Sequence, residues 1–395
     1  RFMTQLAYGT VRHKLLCDHV LERLVRDPLD KLPPPILNIL RMGVFQTLFC
    51  SQVTFPSMVH TSVDLAKYRG HAGLAKLANA VLRRVPQSLD EVSFPHREER
   101  LVDYLSVRYS IPRWLVGEWI TELGENAAEA LCAESNTEAT PVIRVNTLKT
   151  TAEKLMAELV KQECAVKKRT SVPEELTLTG GMPPARVKLF RDGHFFVQDT
   201  ASMLPPHLLE PKSGERVLDI CAAPGGKTTH IAQLANGEAF VVAADVHAGK
   251  LRLVRENAER LGVSVSASVC ADGSAPPFAA EFDRVLVDAP CSGLGTLRRH
   301  PDLKWRVMPE TRASLSQLQR ALLRSGVALC KNGGVVVYSV CTISRQETIE
   351  VVRDIIETEN VAPETGPEWM KTWQKAPGQY QTYPQEGGLD GFFLM

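Results

Sequence analysis

The sequence predicts a multidomain protein: an all-α helical domain, a small α+β linker domain, and a C-terminal α/β domain with a doubly wound sheet. Three observations carry that prediction. Residues 1–110 repeat apolar residues at helical spacing without strand-like alternation. Residues 111–210 mix helical runs with short strand-like ones. From Gly214 onward apolar strands alternate with amphipathic helices, the pattern of a mostly parallel sheet covered on both faces. At 395 residues the chain is long enough for several cores.

The elements follow in order. The opening "RFMTQLAYGTVR" reads as the inside of a helix from Arg1, so further N-terminal sequence is expected ahead of it. "PPPILNILRMGVFQTLF" opens with prolines and continues at helical spacing, as does "MVHTSVDLAKYRG". "GLAKLANAVLRRVP" ends at Pro86. Residues 111–140 form one or two further helices that begin the linker domain. Within it "TPVIRVNTLKT" is strand-like, "TAEKLMAELVKQE" helical, and "LTLTGG" and "VKLFRDGHFFVQD" strand-like again. The third domain, 211–395, runs through "ERVLDIC", "FVVAAD", "SVSASVCAD", "FDRVLVDAP" and "GGVVVYSVC", with helices between them.

Composition narrows the function. Apolar residues make up 44% and charged residues 23%, ordinary for a soluble globular chain. No run of about 18 apolar residues occurs, so no membrane association is expected. The nine cysteines form no CxxC pair and no zinc spacing, which predicts free thiols in a reducing, cytoplasmic setting and no metal. Monomer is the default state. Residues 1–110 hold 15 Lys and Arg against 10 Asp and Glu, a local net of +5 in a chain of net +1. That asymmetry permits a polyanionic partner; an ordinary solvated helical surface explains it equally well.

Ligands of doubly wound sheets bind beyond the carboxyl ends of the strands, and the residues of chemical interest fall there. "VLDICAAPGGKTTHIAQL" is a strand, a small-residue turn and a helix start. Ala222, Ala223, Gly225 and Gly226 let a ligand approach the backbone. Asp245 ends the next strand, 20 residues after Gly225, placed either to accept a ribose diol or to cap the following helix. Asp272 ends the third, placed to reach an adenine amino group or to form a turn. The turn lacks GxGxxG, which disfavours a dinucleotide, and no P-loop is present.

Asp288 and Cys291 end the fourth strand and Cys341 the fifth, so three reactive side chains converge. One chemistry needs such a set. Carbon 5 of cytosine becomes nucleophilic once a thiolate adds to carbon 6. An acid at the N3 side stabilises the charge that develops. A base must then remove the carbon 5 proton, a step a second cysteine could serve.

Residues 214–395 strongly resemble the RNA cytosine-5 methyltransferases of the Sun/Fmu group, through "GERVLDICAAPGGKTTHIA", "DAPCSGLGTLRRHPDLKWR", "GGVVVYSVCT" and "DGFFLM". Residues 1–110, with "ILRMGVFQTLF", "HTSVDLAK" and "NAVLRR", resemble the NusB-like RNA-binding helical domain. "PVIRVNTLKT" and "VQDTAS" look like the small domain between them. The resemblance implies a Rossmann-like class I methyltransferase domain and S-adenosylmethionine as cofactor. The cofactor would be held by Cys221, Ala222, Ala223, Pro224, Gly225, Gly226, Lys227, Asp245, Asp272 and Asp288. It further implies Cys341 as nucleophile, Cys291 as the aid to product release, and small-subunit ribosomal RNA as partner and substrate. DNA cytosine methyltransferases attack with a Pro-Cys cysteine instead, so Cys341 favours RNA.

One departure stands out: Val340 replaces the family's usual Thr before the nucleophile, a lost hydroxyl expected to alter hydrogen bonding or the pKa of Cys341. "LRRHPDLKW" places Arg298, Arg299, His300 and Lys304 on a loop suited to phosphates and a flipped base, or simply to solvent. Two other functions compete: a transfer-RNA cytosine-5 methyltransferase and a non-catalytic assembly factor. Retention of Asp288, Cys291 and Cys341 argues against the second.

Overall fold

The structure, a computed structural model, describes residues 2–169, 171–279 and 281–395; Arg1, where the sequence reading starts its first helix, lies outside them. The chain divides into two compact units. One comprises 1–137 with 297–306, the other 138–296 with 307–395.

The first unit is helical: α1 (Phe2–Arg12), α2 (Lys14–Glu22), α3 (Pro34–Phe49), α4 (Phe55–Arg69), α5 (Ala72–Leu82), α6 (Leu101–Tyr109), α7 (Arg113–Leu123) and α8 (Glu125–Glu134). Prolines open α3 and α4, where the missing N–H costs nothing. The periodic apolar positions of α2 to α5 close over a core that includes Leu16, Leu21, Ile36, Leu40, Val44, Ala78 and Leu82. Helices α7 and α8, which open the linker domain expected from residue 111, pack within this compact unit.

The second unit begins with a four-stranded antiparallel sheet of β1 (Val142–Val145), β2 (Ala165–Lys168), β3 (Glu175–Gly180) and β4 (Phe195–Val197), in the order β2-β3-β1-β4. Helix α9 (Ala152–Lys161) buries its apolar face on it, with Leu155 and Leu159 against Ile143 and Leu176. The stretch "VKLFRDGHFFVQD" is not one strand. Lys188–Arg191 forms a helical turn, α10, closed by a bond from Asp192 N to Lys188 O, and only Phe195–Val197 enters the sheet. The Asp-Gly pair between them turns the chain.

After α11 (Thr200–Leu209) the large sheet forms: β5 (Arg216–Asp219), β6 (Phe240–Asp245), β7 (Ala267–Cys270), β8 (Phe282–Asp288) and β9 (Cys330–Val340), followed by β10 (Gln374–Ala376), β11 (Gln379–Thr382) and β12 (Phe392–Leu394). The order is β10-β11-β12-β9-β8-β5-β6-β7, parallel from β9 to β7 and antiparallel from β9 to β10. The crossovers carry α12 (Gly226–Leu234) and α13 (Ala248–Leu261). The stretch 297–306, with its single turn α14 (Leu303–Arg306), clusters instead with the first unit. Helices α15 (Pro309–Leu329) and α16 (Ile349–Thr358) flank β9 in sequence.

Successive strand residues enter opposite cores. Val217, Val241, Leu286 and Val337 join the cluster of α11 and α12 residues, while Leu218, Val242, Val285 and Tyr338 join that of α15 and α16. Burial on both faces is why these strands read as continuous apolar runs.

Candidate active site

β5 ends at Asp219 and the chain turns through Cys221–Gly225 into α12. Residue 225 must be glycine: its φ is +98°, and a Cβ there would lie 3.0 Å from Val254 Cα. Asp245, half-buried at the end of β6, clasps this turn. Its Oδ2 accepts from Ala223 N at 3.2 Å and its Oδ1 from His247 N at 2.9 Å. Asp272 is exposed beyond β7, where Ser274 N and Oγ donate to its Oδ1 at 2.9 and 2.7 Å. Those bonds hold its carboxyl below the usual range. Asp272 thus forms the local turn set against its ligand role, whereas the helix after Asp245 has His247 at its N-cap and takes no side-chain cap from Asp245.

Asp219 was not singled out from the sequence. It is fully buried, its Oδ2 accepts from Thr228 Oγ1 at 2.6 Å, and its Oδ1 has no hydrogen-bond partner among the described residues. Burial, with Asp288 and Asp245 adding, pushes its carboxyl up to about 7. The Cys221 thiol shows how these acids gather. It is pushed well up by burial first, then by Asp219, Asp288, Asp245 and Asp272. Even with Asp219 pushed toward its neutral form and Asp288 paired with Lys227, Asp245 and Asp272 leave an acidic surrounding that suits a cationic ligand and disfavours a pyrophosphate.

β8 and β9 lie side by side in register, Asp288 opposite Ser339. Asp288 Oδ2 pairs with Lys227 Nζ at 2.6 Å, and its Oδ1 accepts from Ser339 Oγ at 2.8 Å. Lys227 Nζ also lies 5.0 Å from the Phe392 ring centroid, brought there by β12 pairing against β9. Just past the two strand ends, Cys291 Sγ and Cys341 Sγ are 3.2 Å apart. That contact first, and burial second, push the Cys291 thiol well above its ordinary range. Val340 is fully buried in the apolar cluster of Tyr338 and Phe393, so the side chain at this position is part of the core.

Several residues around the thiols escaped the sequence reading. Glu347 is fully buried; its Oε1 accepts from Ser292 N at 2.7 Å and its Oε2 from Ser292 Oγ at 2.6 Å. Gln319 Nε2 donates to Pro290 O at 2.9 Å and to Glu347 Oε1 at 3.2 Å. The available signal was an acid six residues beyond Cys341, on a stretch otherwise bound for the core.

Arg298 and Lys304 correct the expectation of phosphate contacts, because protein groups in the first unit already engage them. Arg298, 8% exposed, pairs with Glu134 at 3.4 Å. Lys304, 1% exposed, donates through Nζ to Asn136 Oδ1 at 2.6 Å and to Arg12 O at 3.2 Å. Burial brings its ammonium down to about 7. Arg299 is half-buried, and His300 is exposed.

One His/Glu group among the described residues has metal-like spacing, and linear spacing concealed it: Glu174, His207 and His230. Glu174 Oε1 lies 2.8 Å from His207 Nε2 and 2.5 Å from His230 Nε2. Burial lowers His230 to about 3, leaving it a neutral imidazole, and the buried Arg144 guanidinium nearby opposes a further cation.

Comparison with known proteins agrees with this architecture. Residues 206–395 match the family described as 16S rRNA methyltransferase RsmB/F, 1–87 the NusB family, and 111–184 the RsmF/B-like ferredoxin-like domain. A probable ribosomal RNA small subunit methyltransferase B of Bacillus subtilis is 35% identical over 99% of this chain and 89% of its own length. Its counterpart in Synechocystis is 34% identical over 100% and 90%. The solved structure of PH0851 superposes with a TM-score of 0.83 at 28% identity, over 100% of this chain and 89% of that one. A methyltransferase homolog protein from Pyrococcus horikoshii gives 0.62 at 28% identity, over 73% and 96%.

The methyl donor of these enzymes is S-adenosylmethionine. The residues present fit it in charge: acids gathered around the turn at Cys221 suit a sulfonium cation, while Gly225 and Gly226 let that turn pack closely on Val254 and Phe196. Sheet, thiol pair, acid cluster and relatives spanning the whole chain agree, and the chain belongs to the RsmB/F family of 16S rRNA methyltransferases.

Proposed function

We propose that this chain methylates carbon 5 of a cytosine in small-subunit ribosomal RNA, through a covalent bond between Cys341 and carbon 6 of the base. One observation carries the reading: two thiols 3.2 Å apart just past adjacent parallel strand ends, on the same sheet edge where β8 ends in Asp288, the partner of Lys227. Relatives named for the ribosomal small subunit support the RNA class.

S-adenosylmethionine supplies an electrophilic methyl group when bound. Asp245, Asp272 and the turn from Cys221 to Lys227 hold its nucleoside end. The Cys341 thiolate adds to carbon 6, and the ring electrons it displaces make carbon 5 nucleophilic. Asp288 contacts the N3 side of the base, and Lys227 supplies positive charge where negative charge develops. Once carbon 5 has taken the methyl group, its proton must leave before Cys341 can. Cys291 serves that step: its thiolate takes the proton, the carbon–hydrogen pair restores the ring double bond, and Cys341 departs as thiolate. The order is physically coherent. The contact with Cys341 is the largest influence keeping Cys291 protonated in the resting site. Arg299 and His300 remain candidates for RNA contact.

The test is methyl transfer from labelled S-adenosylmethionine to protein-free, unmodified small-subunit RNA, with the product nucleoside identified. Label in 5-methylcytosine at one position is expected. Label in any other nucleoside, or none despite cofactor binding, refutes the reading.

A further inference from the structure

Neither thiol is held by its own side chain alone; the backbone on both sides of Cys291 is clamped from a distance. On one side, Gln319 Nε2 donates to Pro290 O at 2.9 Å. On the other, Ser292 donates through both N and Oγ to the two oxygens of Glu347, at 2.7 and 2.6 Å. The same Ser292 Oγ lies 2.9 Å from Thr342 Oγ1, the hydroxyl next to Cys341. Gln319 Nε2 reaches Glu347 Oε1 at 3.2 Å, and Tyr338 OH, on β9 itself, donates to Glu347 O at 2.7 Å. The residues flanking both thiols therefore converge on one fully buried glutamate. A carboxylate accepting three such bonds in a buried site is directional, and its partners lose their placement together if it is removed.

We propose that Glu347 is the positioning residue that holds Cys291 against Cys341, and that it acts on the product-release half of the reaction. The second part rests on the covalent reading above; the first does not. Glu347 touches no reacting atom and works through Ser292. Its charge also adds to the influences that keep Cys291 a thiol in the resting site. The carboxylate is thus suited to keep the second cysteine from competing as a nucleophile.

Two measurements on the full chain test this. The first needs no RNA. Diamide takes two electrons and two protons from a pair of close thiols, forming a disulfide and its own hydrazine, and peptide mass spectrometry reads the Cys291–Cys341 cross-link. Glu347→Ala is expected to slow that cross-link about tenfold or more, since a 1 Å misplacement costs such factors. Glu347→Gln should stay near wild type, because its amide can accept from Ser292 N and donate to Ser292 Oγ. Wild-type cross-linking in Glu347→Ala overturns the positioning role. The second adds RNA and cofactor. Glu347→Ala should accumulate a denaturant-stable protein–RNA adduct, as is expected of Cys291→Ala, with RNA KM little changed. An adduct in Cys291→Ala but none in Glu347→Ala overturns the release assignment while the covalent reading stands. No adduct in Cys291→Ala overturns the covalent reading and the release assignment with it, leaving the cross-link to decide positioning. If Glu347→Ala does not fold, Ser292→Ala carries both tests, since it removes the hydroxyl bridging Glu347 and Thr342.

Discussion

Lys304→Met removes a charge the fold keeps buried, and its effect on stability has a definite pH signature. An ordinary lysine titrates near 10.5, whereas burial, with Arg12 adding, brings Lys304 down to about 7. Between those values the unfolded chain holds a proton that the folded chain has released. Stability therefore rises with pH across the window from about 7 to 10.5, by at most about 1.4 kcal/mol per pH unit; below it the cost of the buried charge is felt in full. From about pH 7.5 to 9.0 the gain is on the order of 2 kcal/mol. For a unit of this size that is roughly 4–8 °C in melting temperature. Methionine keeps the stem and cannot titrate, so the wild-type curve should climb relative to the variant's, read by circular dichroism on both proteins across that range. Parallel curves would refute the claim that Lys304 is buried and released from its proton. The RNA side gives a second check. Because Lys304 donates to Asn136 and Arg12, the salt dependence of RNA binding should be the same in both proteins; a slope lower by about one in the variant would return Lys304 to a phosphate.

Gly295→Ala would set a Cβ 1.8 Å from Gly391 O, a backbone contact no rotamer change relieves. A loss of about 1–3 kcal/mol or more in urea unfolding is expected, together with slower methyl transfer, since Gly295 N donates to Cys341 O at 3.1 Å. Cys341→Ala should abolish methyl transfer while calorimetric S-adenosylmethionine affinity stays near wild type. Cys291→Ala should instead trap the RNA adduct on a denaturing gel, and adduct-free loss in both would remove the division of labour. Asp245→Asn should weaken S-adenosylmethionine binding about 10- to 100-fold, the worth of a charged hydrogen bond; unchanged affinity would leave Asp245 only its contacts to Ala223 and His247.

What the sequence alone determined is what depends on local order along the chain. Periodicity separated the helices of residues 1–110 from the strand–helix alternation beyond Gly214, because spacing of 3.6 and runs buried on both faces are written residue by residue. The ends of β8 and β9 were legible in the same way, since chemistry in a doubly wound sheet falls at strand ends: β8 ends at Asp288 opposite Ser339, and the Cys291 and Cys341 sulfurs meet just beyond. Tertiary structure alone decided the partners. "LRRHPDLKW" has the composition of a solvated basic loop, yet Arg298 and Lys304 find Glu134, Asn136 and Arg12 more than 160 residues earlier in the chain. The clamp on the thiols joins Gln319, Ser292 and Glu347 from a helix, a loop and a turn, and no spacing rule links them. Asp219 carries no sequence signal of its own; its full burial, with no partner for Oδ1 among the described residues, is set by the tertiary structure. Desolvation and pairing depend on which segments meet in space, and those long-range meetings set the protonation of Lys304, Asp219 and Cys291.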